Sequence, residues 1–234
     1  MFLWFAARME KQSYCPTKIL IFRVILFLLF FFQFGLVSGQ PNWKLVAHED
    51  GIQVFSKTVM DSRIKALKTT CEIKANLAQL VALLLDVEAA RQWICHTKSC
   101  SLLKKVSASE LYYYTEVALP WPLSNRDFVT HMKIFQDPVT KIVTINTPAV
   151  PGVVAERAGI VRVNHSVGTW VLTPLGKECV KIEYTLQVDP GGIIPAYIVN
   201  AFAVNAPVLT IKKMRGILPK YKNAVHTLFL ISEP

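Results

Sequence analysis

Between Ser101 and Val188 apolar and polar residues alternate with a period of two, interrupted only by short turn-forming stretches. In "LYYYTEVAL", Leu111, Tyr113, Thr115, Val117 and Leu119 share one face, and Tyr112, Tyr114 and Glu116 share the other. In "KECVKIEYTLQV", Val180, Ile182, Tyr184, Leu186 and Val188 face one way, while Lys181, Glu183, Thr185 and Gln187 face the other. Successive side chains of a strand point to opposite faces, so these are strands with one covered and one wet face. Strands of that kind belong to an antiparallel sheet, and something apolar must lie on the covered side.

The cover is readable near the C-terminus. Asp189-Pro-Gly-Gly breaks the last strand, and Pro195 suits the first turn of a helix. The residues that follow, Ala196 to Val204, are apolar on nearly every side, and such a helix must be enclosed over most of its surface. Pro207, inside the same helix, is expected to bend it. Earlier in the chain, "WKLVAHEDGIQVFSK" reads as a hairpin turning at Asp50-Gly51, and "RIKALKTTCEIKA" extends the sheet. Asn76 caps "LAQLVALLLDVEAARQW", where Leu77, Leu80, Val81, Leu84 and Val87 recur at helical spacing as a core-packing face. The fold class is α+β: a long antiparallel sheet with one very apolar helix to wrap around.

Residues 1–39 stand apart from this pattern. Arg8, Lys11, Lys18 and Arg23 precede the apolar run Val24–Phe32, and Val37 and Gly39 occupy the small-residue positions of a cleavage site. The segment reads as a signal peptide, or as a signal anchor if it is left uncleaved, so the remainder is expected outside the cytoplasm. The expected destination is the periplasm or cell envelope, with secretion or membrane anchoring as variants. The domain is then 40–234, long enough for one sizeable core. The leader takes four of the 26 Lys and Arg and one of the 16 Asp and Glu, which leaves the domain at +7. Its basic residues are dispersed singly along strands, without an Arg-rich arm or a nucleic-acid motif, so no nucleic-acid partner is expected. The one cationic cluster is C-terminal: Lys212, Lys213, Arg215, Lys220 and Lys222. Cys71, Cys95, Cys100 and Cys179 are too few for a disulfide scaffold, although Cys95 and Cys100 could pair. No second pair stands at ligand spacing, so a metal is not expected.

"LPWPLSNRDFV", followed some sixty residues later by "VDPGGIIPAYIVN", resembles the StAR-related lipid transfer (START) domain of the helix-grip superfamily. The resemblance runs from about Trp43 to Met214. It implies a curved antiparallel sheet gripping the C-terminal helix, an apolar tunnel between them that holds one lipid or sterol, and the helix as a lid. It implies no cofactor and no catalytic metal. Sterol-binding relatives carry an Arg six residues after the Arg of "RDF", where this chain has Met132. Phosphatidylcholine-binding relatives carry Asp after the helix Trp, where this chain has Ile94. Without those charged readers, the cargo implied is weakly polar or neutral.

The candidate ligand-binding residues are Tyr113, Arg126, Met132, Trp170, Tyr184, Asn200 and Phe202. The aromatics read either as tunnel lining or as core residues whose polar ends find backbone. Arg126 and Asp127 read as a structural pair tying the "PWPLSN" loop to its strand, or as a headgroup site. Lys212, Lys213 and Arg215 offer a transient contact with an anionic membrane surface while complementing the helix dipole. The expected function is non-enzymatic binding and transfer of a hydrophobic ligand by a monomer. The alternative is a polyketide cyclase or aromatase using the same tunnel, with Arg126, Glu116, His131 and His165 as the available acid–base groups.

Overall fold

The structure, a computed structural model, describes residues 43–59, 65–192, 194, 196–226 and 231–234; the expected signal segment lies outside them. Strands β1 (Lys44–Glu49) and β2 (Ile52–Thr58) form the expected hairpin. Its turn residues Asp50 and Gly51 have φ of 51° and 73°, the left-handed conformation that such two-residue turns demand. β3 (Lys65–Ile73) follows, then helices α1 (Leu77–Leu85) and α2 (Ala90–Trp93). After them come β4 (Thr97–Lys105), β5 (Glu110–Val117), β6 (Asn125–Gln136), β7 (Val143–Pro148), β8 (Ile160–Arg162), β9 (His165–Pro174) and β10 (Val180–Asp189). Helix α3 (Ala196–Ile217) and a 3₁₀ segment, Leu218–His226, follow.

The sheet order is β1-β2-β3-β10-β9-β7-β6-β5-β4, antiparallel throughout that path, with short β8 adding parallel to β6. The last strand pairs with β3, so the N-terminal hairpin and the C-terminal strand share one sheet.

The helical run before Trp93 is not one helix, as its spacing suggests, but two. Asp86 ends α1, and its Oδ1 accepts the Ala89 N–H at 3.0 Å, a local bond that draws the chain out of the helix. At the other end of α1, Asn76 and Gln79 form a capping box: Asn76 Oδ1 accepts the Gln79 N–H (2.8 Å) and Gln79 Oε1 accepts the Asn76 N–H (3.2 Å). The remaining end donors go to the C-terminal tail, where the Glu233 carboxylate accepts the N–H groups of Leu77 (3.2 Å) and Ala78 (2.8 Å).

Helix α3 is continuous past Pro207. Its second half places Val208, Ile211, Met214 and Ile217 in the core at three- and four-residue intervals, together with the buried face of α1 and the inner face of the sheet.

Candidate functional site

Alternation along each strand sorts its residues into an inner and an outer face, and the inner face changes character along its length. At the α1 end, Ile52, Val54, Val143, Ile145, Leu172, Val180 and Ile182 are fully buried. At the opposite end of the same sheet, Leu67, Val117, Phe128, Leu186 and Val188 keep partial exposure on that same face. Between the two ends stand Tyr113 and Tyr184. Both lie deep in the protein, where burial pushes their hydroxyls well above the usual tyrosine range, yet both keep accessible surface. These two part-buried tyrosines mark the change from the fully buried end of the inner face to its partly exposed end, the mouth.

An aromatic series crosses this boundary. Trp93 of α2 meets Trp170 edge-on (6.2 Å, 67°), and Trp170 stacks on Tyr184 (4.1 Å, 23°). Gly168 gives the Tyr184 ring its room, because a Cβ there would come within 2.3 Å of Thr147 Oγ1 and 3.3 Å of the Tyr184 hydroxyl. Thr130, opposite Tyr113 on the neighbouring strand, moderates the Tyr113 shift. The Tyr184 hydroxyl has no hydrogen-bond partner among the described residues. Met132 is buried in the closed part of the core beside Leu111 on the neighbouring strand. Asn200 and Phe202 lie in α3, with side chains outside what the structure describes.

Arg126 and Asp127 are not partners of each other. They are consecutive on β6 and therefore point to opposite faces. Asp127, 1% exposed, turns outward and is held by Arg162 of β8 through Nε–Oδ1 (2.7 Å) and Nη2–Oδ2 (3.1 Å). The Tyr114 hydroxyl donates to Oδ2 at 3.0 Å. Burial works against the Asp127 charge, but Arg162 and Tyr114 outweigh it and keep the carboxyl below the usual range. The Tyr114 hydroxyl, buried and beside that carboxylate, is pushed up to about 12. Arg126 turns inward, and burial lowers its pKa. Its guanidinium donates to the carbonyls of Ser124 (Nη1, 2.6 Å), Pro190 (Nε, 3.2 Å) and Gly191 (Nη2, 3.1 Å). It thus ties the "PWPLSN" turn to the Asp189–Gly192 break that precedes α3. At the outer tip of that turn Trp121 is 92% exposed.

The C-terminal cations are distributed differently from what the sequence suggests. Lys212 pairs with Glu49 and with Asp50 Oδ2 (2.8 Å), and Arg215 donates to the carbonyls of Asp50 (2.9 Å) and Glu72 (3.2 Å). Both hold α3 to the β1–β2 turn, and only Lys213 of the three is exposed. A groove of about 490 Å³ beside them, lined by His48, Gln53, Glu72, Lys181 and Arg215 among others, is an open surface cleft away from Tyr113 and Tyr184.

The acid–base candidates are not gathered in one place. Glu116 is on the outer face with Lys98 (2.9 Å) and Asn125 (2.7 Å), His131 is on the outer face against Glu110 (2.6 Å), and His165 is exposed at the start of β9. Cys71, Cys95, Cys100 and Cys179 are free thiols, so Cys95 and Cys100 are not paired. Burial pushes the Cys71 thiol up to about 11. Among the described residues no group of His, Cys, Asp or Glu is placed to hold a metal, and no helix is long and apolar enough to cross a membrane.

The START domain family model matches residues 35–223. The chain belongs to the START domain family. It is 34% identical over 189 residues to the Pseudomonas aeruginosa protein PA1579, covering 80% of this chain and 93% of that one. It is 26% identical over 185 residues to the phosphatidylcholine transfer protein of Bos taurus, covering 77% and 85%. Among solved structures, the STAR-related lipid transfer protein of Xanthomonas axonopodis superposes with a TM-score of 0.70 at 32% identity, covering 76% of this chain and 98% of that fragment. Human STARD10 superposes with a TM-score of 0.67 at 21% identity over 94% and 91%, a likeness of fold. The curved antiparallel sheet with its C-terminal helix is the START helix-grip fold.

Proposed function

We propose that this START domain binds a single lipid between the mouth half of its sheet and helix α3, and carries it between membranes without chemical conversion. The observation that carries this reading is the change along the inner face, from complete burial at the α1 end to accessible apolar surface around Tyr113, Tyr184, Phe128 and Leu186. Apolar surface left open inside a fold excludes water and welcomes an acyl chain. The scale is large: at about 0.8 kcal/mol per methylene, a fourteen-carbon chain is sheltered by about 11 kcal/mol relative to water. The relatives bearing names of known activity are transfer proteins, which supports carriage over catalysis.

Membrane contact is proposed at the mouth. Trp121 projects beside the break before α3, and an indole suits the boundary between headgroups and acyl chains. The Lys212–Arg215 cations sit toward the far end of α3, about 24 Å from its first residue at 1.5 Å per residue, and two of them are engaged within the fold. Lys213 remains available as an auxiliary contact with anionic lipid. The basic, apolar and small-residue order of residues 1–39 supports export to the periplasm or envelope as the setting. Native mass spectrometry of protein isolated from its own cells, followed by lipid extraction, tests the reading. A single lipid per chain is expected, and consistently empty protein that converts an added polyketide-like compound would replace carriage with catalysis.

A further inference from the structure

The interior of this domain carries an unbalanced charge. Arg126 is 5% exposed and faces inward at the mouth, on the same side of β6 as Phe128, Thr130 and Met132. Every acid on β3, β5, β6 and β10 (Glu72, Glu110, Glu116, Asp127, Glu183 and Asp189) alternates onto the outer face. From Pro190 to Ser232 the sequence contains no Asp or Glu at all, so α3 brings no counter-charge. Its electropositive N-terminal end begins four residues after Gly192, whose Cβ, if it had one, would lie 3.5 Å from Arg126 Nη2. Among the described residues no carboxylate lies within ion-pair distance of Arg126.

Carbonyl dipoles answer part of this charge. A guanidinium has five N–H donors, and the bonds to Ser124, Pro190 and Gly191 take three, leaving two. A buried cation without a counter-ion is costly, and the planar fork of Arg matches the oxygens of a phosphate or carboxylate. We propose that Arg126 is the docking point for an acidic headgroup, a phosphate monoester or carboxylate on an acyl lipid, whose chains occupy the apolar space behind it. This rests on the lipid-binding reading, and it replaces the weakly polar or neutral cargo expected from Met132 and Ile94 with an anionic one. The same guanidinium holds the Pro190–Gly191 backbone, so the headgroup sits against the break that precedes α3.

The test uses the full chain with carrier vesicles of phosphatidylcholine containing equal trace amounts of dioleoyl phosphatidic acid and dioleoylglycerol. The protein is re-isolated and its bound lipid quantified. The unmodified chain is expected to retain phosphatidic acid over dioleoylglycerol by about tenfold. Arg126→Gln is expected to erase that ratio while still retaining dioleoylglycerol, and Arg126→Lys to keep part of it. Equal retention of both lipids by the unmodified chain overturns the acidic-headgroup assignment and leaves lipid binding standing, whether or not the variants fold. Retention of neither removes the lipid reading itself. Inorganic phosphate added to the mixture is expected to leave the ratio unchanged; its loss would mean that Arg126 binds a small free anion and not a lipid head.

Discussion

At the α1 end of the sheet, Val143, Ile145, Leu172, Val180 and Ile182 are buried completely, whereas at the other end of the same face Val117, Phe128, Leu186 and Val188 keep accessible surface. The residue types are alike and so is the strand pattern. The difference lies in what covers them. The closed end meets α1 and the second half of α3, whose Leu80, Val81, Leu83, Ile211 and Met214 are buried in one continuous core with it. Among the described residues, the mouth is bordered instead by backbone and polar groups: the Pro120–Ser124 turn, the Asp189–Gly192 break and the guanidinium that joins them. One half of the sheet is packed for stability; in the proposed function, the other is where the ligand completes the packing.

The strongest way to break this contrast is truncation at each end. Leu172→Ala at the closed end should cost about 2–5 kcal/mol by urea denaturation, because it opens a cavity in a packed core. Leu186→Ala at the mouth should cost under about 1 kcal/mol, since that side chain is already partly uncovered. Equal losses would mean that the two ends are packed alike.

Asp127→Asn should cost about 3 kcal/mol, as it leaves the buried Arg162 without its counter-charge. The folded carboxyl lies below its unfolded value of about 3.9, so this contribution is full above that pH and fades as pH falls through the folded value. Denaturation curves of parent and variant should therefore converge in acid; a constant gap would detach the effect from ionisation. Glu233→Gln removes the charge at the start of α1 and should lower stability by about 0.5–1 kcal/mol, less in high salt. Trp121→Ser should leave the unfolding midpoint unchanged and slow lipid transfer between vesicles, more than Lys213→Glu does. Unchanged transfer would move the membrane contact away from the mouth.

Much of this architecture was legible in the residues. The period of two placed Tyr113 and Tyr184 on the inner face, Asn76 announced α1, and Asp50-Gly51 announced the first hairpin. The Arg126–Asp127 pairing was misread although the means to avoid it were present: neighbours on a strand face opposite ways and cannot pair across it. Of their true partners, Arg162, Pro190 and Gly191 lie 35 to 65 residues away, and only the parallel β6–β8 contact and the path of the chain bring them together. Glu233 at the start of α1 depends on the route of the C-terminal tail, and no local pattern reports that. Lys212 and Arg215 looked like free surface charge because the β1–β2 turn they grip lies more than 160 residues earlier.

The central claim is that the space at the mouth, and not the closed core, holds the lipid. Leu186→Trp tests it most directly, because the larger ring is aimed at that space from a position with little packing to disturb. The account predicts that the variant keeps or raises the unfolding midpoint while bound lipid, measured by native mass spectrometry, falls about tenfold. Retention of a full complement of lipid by a folded Leu186→Trp protein would contradict it.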